Sequence, residues 1–164
     1  MQVGSFKQLP NETYIVPNTL EAELFDCMEN LFGSVVFSFT AIEALVNSAI
    51  PEDYIYRNER QDGRNTEIYD KGQIDRYITV DVKLSEILPD ILKVDSPKGN
   101  KQWQEYVWLR NTRNRLIHLK TSDLKDSKDS NAENALKSVW SLLFDPKVLK
   151  APNIAKNLKE SEFM

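Results

Sequence analysis

The sequence predicts an all-α fold, an up-and-down bundle of about four to five helices, on three observations. Apolar residues recur at steps of three or four over long stretches, which is the period of an α-helix. No series of alternating apolar and polar residues indicates a sheet. The chain has 164 residues, of which 41% are hydrophobic, enough to build one core. We therefore expect a single helical domain over 1–164, with the core bundle over about 19–143 and a C-terminal tail over 147–164.

The first half of the chain is predicted to hold a long helix, a loop and a short helix. Apolar residues over 20–49 repeat with helical period until Pro51 stops the pattern. The pair Gly33-Ser34 near the middle favours a bend or a break in the helix. The polar and charged residues 52–65 predict a loop, and a short helix is expected over about 67–77.

Three further helices are predicted in the second half. One follows Thr79, and Pro89 within it predicts a kink because proline has no amide hydrogen to donate. Residues 95–100 have the composition of a turn, and the next helix is expected over about 101–119. A last amphipathic helix is expected over about 130–143.

Composition narrows the classes of function. The net charge is −4, which disfavours a protein that coats DNA through general basicity. Cys27 is the only cysteine, so an intrachain disulfide and a cysteine-based zinc site are excluded. No apolar run approaches the roughly 20 residues of a membrane span, and no secretory signal is recognised at the N-terminus. We expect a cytoplasmic protein with no membrane association, no metal and no cofactor.

The segment 109–120 concentrates side chains that can bind phosphate or transfer protons, and it holds the single histidine of the chain, His118. An imidazole exchanges protons near neutral pH, and a guanidinium such as that of Arg113 matches the oxygens of a phosphate. Asn114 lies one helical turn before His118 and can orient the imidazole or bond a phosphate oxygen. Because each chain has one histidine, chemistry that needs both an imidazole acid and an imidazole base requires two copies of the chain.

Polar residues are expected on the inward face of this helix. At about 100° per residue, Arg110, Asn114 and His118 share a broad face with apolar side chains. Buried polar groups are unfavourable unless they are bonded or used in function, so these residues form either a satisfied polar layer in the bundle or part of a site. Arg113 lies about 140° from His118 around the helix, so the two side chains need not touch within one chain.

A basic cluster surrounds the same segment in an otherwise acidic chain. Lys101, Arg115 and Lys120 are the candidate RNA-binding cations, and a solvated helix face explains the same cluster equally well. Trp108 lies away from the apolar stripe, which makes it a candidate dimer contact, with stacking on a base as the alternative. The sequence contains no His-Glu-x-x-His metal motif and no glycine-rich phosphate loop.

The run from Arg113 and Asn114 to His118 resembles the signature of the HEPN superfamily. Members are helical bundles whose late helices carry an arginine, a polar residue after it, and a histidine four to six residues beyond. The stretch 37–47, which contains Glu43, is similar to the glutamate-bearing first helix of many members. We expect Glu43 and Arg110 to support the site, with Glu43 either pairing with Arg110 or Arg113 or remaining exposed.

The resemblance, which covers about 20–143, implies a metal-independent endoribonuclease. In such enzymes the Arg-x4-6-His motifs of two subunits meet across a two-fold axis, so the homodimer forms one composite site. The resemblance thus implies that Arg113, Asn114 and His118 are catalytic and that RNA is the substrate. It also implies a context of toxin systems or phage defence, with a cognate antitoxin protein as a partner.

Two other functions stay open. The first is a catalytically inactive HEPN-like module that dimerises or binds a partner protein or a nucleotide. The second is a structural helical dimer within a larger assembly. Cleavage of RNA in the presence of a chelator, and its loss on substitution of His118 or Arg113, separates the enzyme from both.

Overall fold

The computed structural model is mostly helical, as the predicted all-α class requires. It describes residues 7–8, 14–15, 20–59, 66–118, 143 and 145–160. The helices in this part of the chain are α1 (Glu21–Ala49), α2 (Lys71–Tyr77), α3 (Val80–Val82), α4 (Leu88–Leu92), α5 (Lys101–Ile117) and α6 (Ala151–Glu160). A π-helical turn, Lys83–Ile87, joins α3 to α4, and a 3₁₀ turn, Val148–Lys150, leads into α6. The helix predicted over 130–143 lies outside the described residues except for Leu143.

Helix α1 is the central element of the described core and packs against both α5 and α6. The buried side chains of α1 are Met28, Val35, Ser38, Phe39, Ile42 and Val46. The helix is continuous through Gly33-Ser34, so the break predicted as one alternative there does not occur. A glycine inside a helix costs about 1 kcal/mol relative to alanine. Burial of Val35 and Phe39 on the following turns contributes about 1.5–3 kcal/mol for each side chain, which outweighs that cost.

The C-terminal helix belongs to the core. Residues 147–164 were predicted to be a tail beyond a core ending at about 143, but α6 packs against α1 and α5. Ala151, Ile154 and Leu158 are its buried residues, at the spacing of one helical face. The core therefore extends past its predicted limit, and this apolar spacing is the signal in the sequence that indicates it.

A β-hairpin replaces part of the predicted loop. Strand β3 (Tyr56–Glu59) pairs antiparallel with β4 (Thr66–Tyr69), with Tyr56 opposite Tyr69. The helix expected from about residue 67 therefore begins only at Lys71, where Asp70 and Gln73 form a capping box. A second, smaller pair joins β1 (Lys7–Gln8) to β2 (Tyr14–Ile15).

The irregularity predicted at Pro89 is the π-helical turn that ends immediately before α4. Proline has no amide hydrogen, so the carbonyl of Ser85, four residues earlier, loses its usual helical donor. The Ser96 hydroxyl donates a hydrogen bond to that carbonyl at 2.8 Å. The loop after α4 therefore supplies the hydrogen bond that the proline removes.

Helix α1 is also long and apolar enough to cross a membrane, judged by length and composition alone. This corrects the expectation that no apolar run approaches the length of a span. The same helix packs against α5 and α6, and the core helix of a soluble protein meets the same criterion. Phe25, Phe32 and Phe37 on α1 are exposed, so the described residues leave part of its apolar surface uncovered.

Two tyrosines attach the hairpin region to the helical segment 80–92, and we expect this attachment to weaken at alkaline pH. The Tyr54 hydroxyl donates to Asp90 at 2.9 Å, and the Tyr56 hydroxyl donates to Glu86 at 2.8 Å. Burial, helped by the neighbouring carboxylate, raises the pKa of Tyr54 to about 12 and raises that of Tyr56 as well. An unfolded tyrosine has a pKa of about 10, so the stabilisation is complete below pH 10 and is lost as the pH rises through the folded pKa.

Urea unfolding at about pH 8 and about pH 11 tests this expectation. The wild type should lose more unfolding free energy between the two conditions than the double variant Tyr54→Phe/Tyr56→Phe, which has no hydroxyl to ionise at these positions. Equal losses in the two proteins would contradict the assignment.

Candidate functional site

Helix α5 positions the three predicted catalytic residues on its last turns. Its N-cap residue is Asn100, whose side-chain oxygen accepts a hydrogen bond from the Trp103 amide at 2.8 Å. Its C-cap residue is His118, whose amide donates to the Asn114 carbonyl at 2.9 Å. The side chains of Asn114 and His118 are exposed. The single imidazole of the chain is therefore open to solvent at the end of the helix.

Arg113 faces α1 and is half-buried. Its guanidinium carbon lies 5.0 Å from the centroid of the Phe39 ring, a distance typical of a cation–π contact. Its Nη1 donates to Asn114 Oδ1 at 3.0 Å. Its Nε is buried and has no hydrogen-bond partner in the described structure. The aromatic ring and the amide thus fix the position of the guanidinium, while one buried donor remains unsatisfied.

Arg113 and His118 do not meet within one chain. Arg113 packs toward α1, whereas His118 is exposed where α5 ends, in keeping with their angular separation of about 140° on the helix. No hydrogen bond joins the two residues in the part of the chain that the structure describes. A site that uses both side chains on one phosphate therefore needs a second chain or a rearrangement of the helix end.

The predicted inward face of α5 is partly wrong. The buried residues of this helix are Tyr106, Leu109, Thr112 and Leu116. Arg110 is half-buried, and Asn114 and His118 are exposed, so these three residues do not form a polar layer inside the bundle. The aromatic residues broaden the apolar surface of the helix, and packing against α1 and α6 selects the side on which Leu109 and Leu116 lie.

Arg110 is held by an acidic residue that the sequence did not single out. Its Nη1 forms an ion pair and hydrogen bond with Asp81 Oδ2, and the buried Tyr106 hydroxyl donates to Asp81 Oδ1 at 2.5 Å. Burial is the larger cause that raises the pKa of Tyr106, and the charge of Glu43 adds to it. Glu43 forms no ion pair with Arg110 or Arg113 in the described structure, so the expected pairing is replaced by the pair of Arg110 with Asp81.

An aromatic contact connects the two arginines. The Phe39 ring, which carries Arg113 on one side, lies 6.3 Å from the Tyr106 ring with an interplanar angle of 19°. Tyr106 in turn bonds Asp81, the partner of Arg110. Side chains from α1, α3 and α5 therefore form one connected set around the motif helix.

Two buried lysines form a separate polar cluster near the end of α1. Lys83 Nζ donates to Asn47 Oδ1 at 2.7 Å and to the Asp75 carbonyl at 3.3 Å, and burial lowers its pKa despite the nearby Asp75 and Glu43. Lys71 Nζ donates to the Asn47 carbonyl at 2.7 Å and pairs with the Asp75 carboxylate. Sequence reasoning did not identify this cluster, which ties α1, α2 and the π-helical turn together.

Two of the three predicted RNA-binding cations, Lys101 and Arg115, lie apart from one another on α5. Lys101 is exposed at the start of α5, where it pairs with Glu105 at 3.9 Å. The helix of 17 residues is about 25 Å long, so Lys101 is far from His118 of the same chain. Arg115 is half-buried and already takes part in an interaction within the chain. Lys120 lies outside the described residues.

Comparisons with protein-family models, curated proteins and solved structures gave no match. The resemblance to the HEPN superfamily therefore rests on Arg113, Asn114, His118 and their place on a late helix. Within 20–59, 66–118 and 145–160, no three His, Cys, Asp or Glu side chains gather into a group that could hold a metal ion.

Proposed function

We propose that this protein is a metal-independent endoribonuclease with a HEPN-like fold that acts as a cytoplasmic homodimer. Arg113, Asn114 and His118 of two subunits would form one composite site. The observation that carries the proposal is the exposed imidazole of His118 at the end of α5, one turn after an arginine and an asparagine that are bonded to each other. A histidine sealed in the core would have no access to a substrate.

The reaction needs only groups that the motif contains. One His118 takes the proton of a ribose 2′-hydroxyl, and the 2′-oxygen attacks the adjacent phosphorus. The bond from phosphorus to the 5′-oxygen breaks, and the His118 of the other subunit gives that oxygen a proton. The products are a 2′,3′-cyclic phosphate and a 5′-hydroxyl, so atoms and charge balance without a metal ion.

Arg113 would stabilise the charge that develops on the phosphate. Cations placed where charge grows in the transition state commonly make a large contribution to catalysis. The contact with Phe39 and the bond to Asn114 limit the movement of this side chain. Its Nε is buried and lacks an acceptor among the described residues, so the terminal nitrogens are the donors available to a phosphate.

Exposed apolar side chains on α1 support self-association. Phe25 and Phe32 are 61% and 39% exposed and share one face of the helix, and contiguous exposed apolar residues often mark interaction surfaces. Phe37 is two residues from Phe39, about 200° around the helix, so it lies on the side of α1 that faces away from Arg113. Contact through Phe37 would pair two chains without by itself bringing their motif helices together. In a toxin system, the proposed antitoxin partner would act by blocking the same site.

A catalytically inactive binding module is the second candidate. Arg110 is already neutralised by Asp81, and Arg113 is packed against Phe39. Both arrangements are typical of arginines that stabilise a fold rather than bind a substrate. In that case the motif would persist as a packing element, and the protein would bind a partner protein or a nucleotide without cleaving RNA.

Incubation of the purified protein with single-stranded RNA in excess chelator tests the proposal. We expect cleavage products with 2′,3′-cyclic phosphate and 5′-hydroxyl ends, and no such products from His118→Ala protein purified in the same way. Products with 3′-hydroxyl ends, or cleavage only after a divalent cation is added, would contradict the mechanism. Binding of RNA or a partner without cleavage would favour the module.

A further inference from the structure

A basic groove between α5 and the start of α6 lies beyond the motif and is unused by the proposed mechanism. Its volume is about 510 Å³, within the roughly 300–1,000 Å³ of pockets that hold small organic groups. Trp108 lines it from α5, and Lys147 and Lys150 line it from the turn before α6. The groove thus combines an aromatic ring with cations in one concave surface.

The described lining of the groove carries net positive charge. Among the described residues, Lys101, Lys147 and Lys150 are its basic side chains and Glu105 is its acidic one. Glu105 pairs with Lys101 at 3.9 Å in a weak, largely exposed ion pair, and Lys147 and Lys150 form no ion pair with any residue that the structure describes. On a chain of net charge −4, this local excess indicates an anionic ligand.

The two lysines stand on an ordered turn. The Asp145 side chain accepts a hydrogen bond from the Lys147 amide at 2.9 Å, and the Lys150 amide donates to the Lys147 carbonyl at 2.9 Å. Helix α6 begins immediately after Lys150, so the positive end of its dipole lies at the same place. The backbone therefore holds both ammonium groups near one side of the groove.

Trp108 offers a surface for stacking. The ring is half-buried, and Lys147 Nζ lies 5.9 Å from its centroid in a cation–π contact. A stacked base would take the place of this ammonium, which would move to a neighbouring phosphate. Indole rings stack on nucleobases with little dependence on sequence, and Asn153 and Asn157 in the lining carry amides that can bond base edges. Lys101 precedes Trp108 by two helical turns, about 10 Å along the axis, so the cations extend further than one phosphate group.

We propose that this groove binds single-stranded RNA, with a base on the Trp108 indole and successive phosphates near Lys147, Lys150 and Lys101. The inference rests on RNA being the ligand of the proposed function, but it does not depend on cleavage. The extended line of cations favours a strand over a free nucleotide.

Binding to the His118→Ala protein, which keeps the RNA intact, tests the inference. A fluorescently labelled RNA of about 12 nucleotides is titrated and its anisotropy recorded at several salt concentrations. We expect Lys147→Ala/Lys150→Ala to weaken binding about tenfold or more at low salt and to reduce the salt slope by about 1.4, because each phosphate contact on a single strand contributes about 0.7. Trp108→Leu, which keeps apolar bulk for folding, should weaken binding about tenfold by removing the stack, and Trp108→Phe should weaken it less.

The double variant Arg76→Ala/Lys159→Ala is the matched control, because both cations are exposed, neither lines the groove and neither has an ion-pair partner among the described residues. It removes the same charge and should change affinity less than about threefold. A loss of RNA affinity in this control as large as that in the groove variants would overturn the inference. So would RNA affinity that Trp108→Leu leaves unchanged, or a uridine monophosphate that binds the groove while RNA does not.

The proposed RNA-binding groove and the proposed cleavage mechanism can be disproved independently. Cleavage by wild type with a KM that the groove variants leave unchanged would overturn the groove alone. RNA binding that depends on the groove, without cleavage by the wild type, would overturn the nuclease alone.

Discussion

Replacing His118 by alanine is expected to reduce RNA cleavage by at least about 10²–10⁴-fold, the contribution typical of one general acid or base. In the proposed homodimer the substitution changes both copies of the imidazole, so both the acid and the base are lost. Because the side chain is exposed and His118 follows the last residue of α5, the fold should not change. Initial rates on a labelled RNA in chelator, with circular dichroism of each protein, measure the effect.

Arg113→Ala should cause a comparable loss, because it removes the charge that we propose stabilises the phosphate. This side chain also packs on Phe39, so Arg113→Lys is the informative companion: it retains the charge and loses the planar guanidinium. We expect Arg113→Lys to recover little activity. Arg76→Ala, an exposed cation in the last turn of α2, is the charge-matched control and should cleave as wild type does. Full activity of His118→Ala would exclude the proposed mechanism.

Replacing Asp81 by alanine is expected to destabilise the fold more than any exposed substitution. The variant loses the ion pair with Arg110 and leaves the buried Tyr106 hydroxyl without its acceptor. The Arg110 and Asp81 side chains are 27% and 32% exposed, so the pair is screened only in part. The loss of hydrogen bonds to a charged group predicts about 2–3 kcal/mol of unfolding free energy. For a domain of this size that corresponds to a fall in Tm of about 5–10 °C.

Two further substitutions provide reference values for the loss of stability expected of Asp81→Ala. Asp81→Asn retains an acceptor for Tyr106 while removing the charge, so its loss should be about half as large. Glu105→Ala breaks the exposed pair with Lys101 at 3.9 Å and should change stability by less than about 0.5 kcal/mol. A Tm of Asp81→Ala equal to that of Glu105→Ala would show that the interactions among Arg110, Asp81 and Tyr106 stabilise the fold no more than an exposed ion pair does.

The long helices could be predicted because their apolar residues repeat over many turns. Helices α1 and α5 are found close to the predicted ranges. The start of α5 at Lys101 follows directly on the turn predicted over residues 95–100. Strand β3 was missed because Arg57, Asn58 and Glu59 show no alternation of apolar and polar residues. Pairing with β4 and attachment through Tyr56 decide its conformation, and neither is a property of the strand alone.

The candidate site could be predicted only as far as the motif extends. The segment from Arg113 to His118 is contiguous, so its residue types are visible in the sequence. The partner of Arg110 is not, because Asp81 is 29 positions away and no local pattern links the two. The side of α5 that enters the core was also misassigned. Its aromatic residues make more than one apolar face available, and the neighbouring helices select among them.

The central claim is that two copies of His118 come together in a dimer. Placing a thiol at this position tests it directly, in a Cys27→Ser background that removes the only natural cysteine. A short bis-maleimide reagent should link the His118→Cys chains into a covalent dimer. The two imidazoles flank one phosphate, so their Cβ atoms lie farther apart than the roughly 3.5–4.5 Å of a direct disulfide. The same background with Lys159→Cys, exposed near the end of α6, should link far more slowly. A chain that sediments as a monomer at every concentration, or that links no faster through position 118 than through position 159, would contradict the composite site.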